Sequence, residues 1–145
     1  MFSNPIPPST ILFSVNFTTY AESHFLKSFA KAYKGKRWDF TKKSIFEDLS
    51  RLRMPNNTTQ QSNQIDELKH KGEYWLAKYD FKIAATNISP KASGNRCVIL
   101  VDNKMNKIEI LLIYGKTDLP KNKGETDFIY QTIESQYPKF WSIFD

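Results

Sequence analysis

Apolar residues recur along this chain in two periods, and the change between them separates helices from strands. Residues 11–18 (ILFSVNFT) carry Leu12, Phe13, Val15 and Phe17 in a short β-rich run, which predicts a strand. The spacing then becomes three and four. Phe25, Leu26, Phe29, Ala30 and Tyr33 fall on one helical face, with Thr18 or Thr19 as a cap and Glu22 at capping-box distance from Thr19. Gly35 interrupts this helix. A second helix is predicted over 38–52, with Ile45, Phe46, Leu49 and Leu52 as its apolar stripe and Lys42, Lys43, Asp48 and Arg51 mostly outside it. Two helices joined by a short glycine-containing turn form a helical hairpin.

Residues 54–63 (MPNNTTQQSN) read as a polar loop, and 64–70 as a short connecting segment. From 73 to 86 the period becomes two: Trp75, Ala77, Tyr79, Phe81 and Ile83 point one way, and Lys78, Asp80 and Lys82 the other. Residues 96–101 (RCVILV) and 108–114 (IEILLIY) are almost continuously apolar, as central strands covered on both faces should be. A weak helical pattern over 125–137 places Phe128, Ile129 and Ile133 together. Pro138 ends it, and the tail 138–145 carries Phe140, Trp141, Ile143 and Phe144, which need a groove to occupy. The expected fold is one α+β domain over 1–145, with a Pro-containing leader at 1–9. A small antiparallel sheet carries the N-terminal helical hairpin on one face, in the order β-α-α-β-β-β-α. The first strand pairs at one edge, and short links between the last three strands favour an antiparallel meander.

Composition and charge narrow the function. A chain of 145 residues, 40% hydrophobic and 14% aromatic, is long enough and apolar enough for one real core. The net charge of +6 points to a polyanion or an acidic protein partner. One cysteine, Cys97, rules out an intrachain disulfide, argues against a cysteine-based zinc site and fits a reducing cytoplasm. No signal-peptide pattern and no apolar run of membrane-spanning length is seen, so no membrane association is expected. No Walker loop, dinucleotide fingerprint, Ser/His/Asp order or metal-spaced His/Glu set occurs, so neither a metal nor a small-molecule cofactor is expected. His24 and His70 are not placed for an acid–base pair.

Four stretches, taken in order, resemble the RelE/ParE superfamily of bacterial toxins. They are the helical hairpin with its 45–52 stripe, 78–84 (KYDFKIA) with its basic–apolar alternation, 90–100 (PKASGNRCVIL) and 110–118 (ILLIYGKTD). The third is the most specific, and the resemblance spans about residues 12–133. It implies the toxin of a type II toxin–antitoxin system, cytoplasmic and neutralised by a cognate antitoxin protein. RelE-like members cut mRNA on the ribosome as metal-independent endoribonucleases, and ParE-like members bind gyrase. The sequence departs from the pattern at Ala92 and Asn95. After Lys116 it lacks the Arg and the Tyr or His found in many active nucleases of this group. A protein-binding toxin that cuts no RNA, or a non-toxic binding module on the same fold, therefore stands as the alternative.

Metal-free RNA cleavage needs a base for the 2′-hydroxyl, a cation for the phosphorane and an acid for the leaving 5′-oxygen. Arginine suits the second task, since its planar fork grips phosphate oxygens and stays charged. Arg96 follows a glycine-bearing loop where the family motif carries its active-site arginine. Lys116 and Lys91 align with basic family positions and Lys82 lies near one; Lys82 and Lys116 complete the candidate catalytic set. Lys91 and Lys78 are candidates for substrate binding; Lys78 shares a strand face with Lys82, with the charge of Asp80 between the two. Against these stand blander roles: a strand-edge arginine, a solvated β face, loop lysines. Lys27, Lys31, Lys34, Lys36, Arg37, Lys42 and Lys43 in the hairpin would grip ribosomal RNA or an acidic antitoxin, or simply form its solvated back.

Overall fold

Residues 12–33, 35–52 and 64–145 are described by the computed structural model. The leader at 1–9 and the loop at 54–63 lie outside these residues. Strand β1 (Ser14–Phe17) is followed at once by helix α1 (Thr19–Ala21), which runs through a π-helical turn (Glu22–Leu26) into α2 (Lys27–Ala32). Thr18 is the cap: its hydroxyl accepts the Ala21 N–H at 3.1 Å. Helix α3 (Lys36–Ser50) returns along the hairpin, after Gly35 at φ 73° has turned the chain. Then come β2 (Ile65–Lys71), β3 (Tyr74–Phe81), a one-turn helix α4 (Pro90–Ser93), β4 (Asn95–Asp102) and β5 (Lys107–Gly115). A 3-10 turn (Lys116–Asp118), α5 (Glu125–Gln136) and a short α6 (Pro138–Ile143) complete the chain.

The five strands form one sheet in the order β1-β5-β4-β3-β2. The meander β2 to β5 is antiparallel, whereas β1 lies parallel to β5, so the sheet is mixed and not purely antiparallel. Parallel pairing follows from the crossover: the hairpin and the meander intervene between β1 and β5, and no tight turn has to join them. Strand β2 adds an element to the expected order. Its apolar pattern is weak because it is an edge strand on which only Ile65 is buried.

Both faces of the sheet are covered. On one, the hairpin residues Phe29, Trp38, Ile45 and Leu49 meet Trp75, Ala77, Tyr79, Phe81, Ile99 and Ile113 in one buried cluster, as the strand alternation predicts. On the other, Leu76, Val98, Leu100, Leu112 and Tyr114 pack against Ile129 and Ile133 of α5. A register shift in the β4–β5 pairing, between Val98↔Leu112 and Ile99↔Ile110, leaves Leu111 as an extra residue. Because of it Ile108, Ile110 and Ile113 all serve the hairpin face, while Leu111, Leu112 and Tyr114 serve the other.

The aromatic tail finds its groove within the chain. Phe140, Trp141 and Phe144 are partly buried against the α5 face, and Trp141 with Tyr130 flanks the Lys69 ammonium at 5.0 Å from each ring. The Tyr137 hydroxyl donates to the Leu111 carbonyl and lies 2.7 Å from the Thr18 hydroxyl, tying the end of α5 to β5 and to the end of β1. No helix among the described residues is long and apolar enough to cross a membrane.

Candidate functional site

The even-numbered side of β3 sets up the polar centre of the molecule. Lys78 and Asp80 point away from the hairpin, yet their side chains are only 16% and 3% exposed, and Glu125 of α5 pairs with Lys78. Asp80 stands directly opposite Arg96 on β4, and Arg96 directly opposite Tyr114 on β5. One cross-strand row therefore holds a carboxylate, a guanidinium and a phenol. Glu125, the first residue of α5, is held above this row, its carboxylate favoured at a helix N-terminus.

Arg96 Nε donates to Asp80 Oδ1 at 2.9 Å, and its Nη1 lies 3.3 Å from Glu125 Oε2. Tyr114 donates its hydroxyl to the same Oε2 at 2.6 Å, and Lys78 Nζ reaches Oε1 at 3.3 Å. The Arg96 side chain is 12% exposed and that of Asp80 3%. Arg96 Nη1 is buried without a hydrogen bond among the described residues, so its approach to Glu125 is ionic and not directional. Burial pushes the Asp80 carboxyl above its ordinary pKa even though Arg96 pulls the other way. For Glu125 burial also disfavours the charge, but the Tyr114 hydrogen bond, Lys78 and Arg96 outweigh it and hold the carboxyl below the usual value. Burial and the Glu125 carboxylate raise the Tyr114 phenol far out of the working range, so it is a permanent donor.

The stability that Glu125 contributes is present above the unfolded glutamate pKa and is lost as pH falls through its lowered folded value. Glu125→Gln should therefore cost about 1 kcal/mol near pH 7, at the low end for bonds to a charged group because the side chain stays partly wet. The gap to the wild type should close in acid. Urea midpoints at neutral pH and at about pH 3 measure it; an equal gap at both would mean that Glu125 is not held as an anion.

The remaining candidates lie on the surface at one end of the sheet. Lys82 follows Phe81, which pairs with Asn95, which pairs in turn with Gly115, and Lys116 follows directly. Lys82 is exposed and donates to the Thr86 carbonyl at 3.3 Å. Lys91 is exposed on α4, three residues before Gly94. Gly94 sits at φ +76°, and a Cβ there would come within 3.0 Å of the Lys116 Cβ, so both conformation and space require glycine. Lys116 N–H donates to the Gly94 carbonyl at 2.8 Å, closing this end. The structure thus brings Arg96 and Lys78 together through Glu125, and leaves Lys82, Lys91 and Lys116 exposed at that end of the sheet. Among the described residues no group of His, Cys, Asp and Glu is placed to hold a metal ion.

The sequence reading missed Glu125 and Tyr114, and weighed Asp80 only as a charge between two lysines. An acid in the first turn of a predicted helix was the one visible signal for Glu125. Nothing local places that turn above β3 and β4. No family model, curated protein or solved structure matches the chain.

Proposed function

We propose that the protein is a RelE/ParE-type toxin of a type II toxin–antitoxin system, acting in the cytoplasm as a ribosome-associated, metal-independent endoribonuclease on mRNA. The observation that carries this reading is the collection of Lys82, Lys91, Arg96 and Lys116 at one end of three neighbouring strands, next to the Gly94 turn. The hairpin on one sheet face and the antiparallel meander agree with it. In this reading Arg96 stabilises the phosphorane, Lys82 and Lys116 hold phosphate oxygens or deliver a proton, and Lys91 binds the strand. Lys78 acts on Glu125 and not on substrate. A scissile phosphate must displace Glu125 from Nη1 to use the guanidinium. A cognate antitoxin protein would neutralise the toxin at this same basic end.

A second reading rests on a specific observation: the Arg96 guanidinium is already committed to two carboxylates. On that ground the fold would be a toxin that binds a protein target without cutting RNA. Primer extension on translated mRNA, with and without ribosomes, separates the two. The nuclease reading expects new RNA ends that depend on ribosomes and fall about a hundredfold with Arg96→Ala, the scale for losing one preorganised charge at a transition state. Arg96→Lys, which keeps a cation opposite Asp80 but loses the fork, distinguishes lost chemistry from lost folding. Growth arrest that survives both substitutions without new RNA ends would replace the nuclease with the protein-binding toxin.

A further inference from the structure

The sheet end that bears Lys116 also holds a cavity that this chemistry does not use. It measures about 180 Å³ and is lined by Ser28, Phe29, Tyr33, Asn95, Thr117 and Asp118, with Gly115 as its floor. Gly115 has φ −96° and ψ 153°, extended backbone open to any residue, so conformation does not demand glycine. Space is tighter: a Cβ there would press on Asn95 Oδ1 at 3.2 Å, a few tenths of an ångström too close, and would touch Asp118 Oδ2 at 3.4 Å and Thr117 Oγ1 at 3.9 Å. Three side-chain oxygens from two elements thus converge on a spot that the missing side chain keeps open.

These groups have bonding capacity to spare. Asp118 Oδ2 accepts the Gly115 N–H at 2.9 Å, which fixes the carboxylate, and Oδ1 accepts no hydrogen bond from the described residues. The side chains of Asn95 and Thr117 make no hydrogen bond among the described residues, and the Asn95 amide offers both an acceptor and a donor. The apolar wall comes from Phe29 and the half-buried Tyr33, whose rings stack 6.3 Å apart at 23°. A planar ligand with adjacent N–H donors and a carbonyl acceptor suits such a wall and rim. Among the nucleobases guanine alone presents the imino and amino donors side by side to a carboxylate, with its carbonyl on the same edge. Lys116, next in the chain after Gly115, is exposed and adds a positive charge at this end of the sheet.

We propose that this cavity binds a guanine base, through Asp118 and Asn95 with an aromatic wall from Tyr33, presented by a free nucleotide or by an RNA strand. As an RNA subsite it rests on the nuclease reading and supplies its base preference; as a nucleotide site it does not need that reading. The test is a titration of the full chain, followed by amide nuclear magnetic resonance, with 5′-GMP, 5′-AMP, 5′-UMP and N-acetylargininamide. GMP should produce saturable shifts at the Gly115 N–H and the Asn95 side-chain amide. AMP and UMP should bind at least tenfold more weakly, the scale of one lost charge-assisted contact. Gly115→Ala, which fills the floor, and Asp118→Asn should each abolish the preference while the rest of the spectrum stays in place. Equal shifts with AMP, no shift with GMP, or a response to the arginine derivative alone would each overturn the proposal. A guanine-containing oligoribonucleotide that outcompetes a guanine-free one identifies RNA as the source, and competition by GMP alone identifies the free nucleotide. GMP binding by a protein that leaves mRNA intact would sink the nuclease and keep the cavity. Ribosome-dependent cleavage with an unresponsive cavity would do the reverse.

Discussion

Arg96→Ala is expected to lower the unfolding free energy by about 3 kcal/mol, the cost of leaving one member of a buried ion pair without its partner. The side chain of Asp80 is 3% exposed, and its carboxylate has Arg96 Nε as its hydrogen-bond donor at 2.9 Å. Without the guanidinium, a carboxylate that burial already disfavours must either stay charged in an apolar setting or bind a proton. An acid whose folded pKa lies above its unfolded value loses stability as pH rises through that window. The deficit should therefore be largest at neutral pH and shrink near pH 3, where Asp80 is neutral. Adding Asp80→Asn to Arg96→Ala should recover at least half of the loss, because the double variant buries no unpaired charge. Denaturant unfolding of the four proteins in this cycle measures the coupling. A loss below about 1 kcal/mol in the single variant would mean that the pair behaves as a solvated surface contact.

Trp38→Ala is expected to cost more, about 4 kcal/mol, the usual scale for emptying a buried tryptophan site. Trp38 is buried at the start of α3, and its ring stacks on Phe29 at 5.3 Å and 20°. Phe29 in turn touches Phe81 of β3 at 5.8 Å and Tyr33 at 6.3 Å. This aromatic column fastens both helices of the hairpin to the sheet. Emptying it should loosen the hairpin before the sheet. Hydrogen exchange should show protection lost first in α2 and α3, with β4 and β5 opening only on global unfolding. The same variant should weaken the proposed guanine cavity, since Phe29 and Tyr33 form its wall. Uniform loss of protection across hairpin and sheet would show instead that the two unfold as one unit.

Much of the architecture follows from local pattern. The alternation from Trp75 to Ile83 places five side chains toward the hairpin, and all five belong to its buried cluster. The continuous apolar runs of β4 and β5 state that both faces of those strands are covered, and they are. Period, capping and β-composition act over a few residues, so these features are legible without a fold. Strand β2 was missed for a physical reason: an edge strand with most of its residues at least partly exposed leaves little hydrophobic period to read. The bulge at Leu111 was equally silent, since an uninterrupted apolar run looks the same with or without an extra residue.

The sequence by itself therefore determined an α+β chain, its helical hairpin, its central strands and the positions of the basic residues along them. Only the tertiary structure decided what those residues face. The even positions of β3 look like a solvated strand surface when read locally, but Lys78 and Asp80 are largely buried there and join Arg96 in an ion network closed by Glu125 of α5. The tail 138–145 looks like an unpaid exposure of aromatic surface, but α6 folds it against the same sheet face. Both outcomes depend on contacts between segments tens of residues apart, and on burial that changes the cost of a charge. A strand's own periodicity records that its two faces differ, but not which helix will come to lie on either of them.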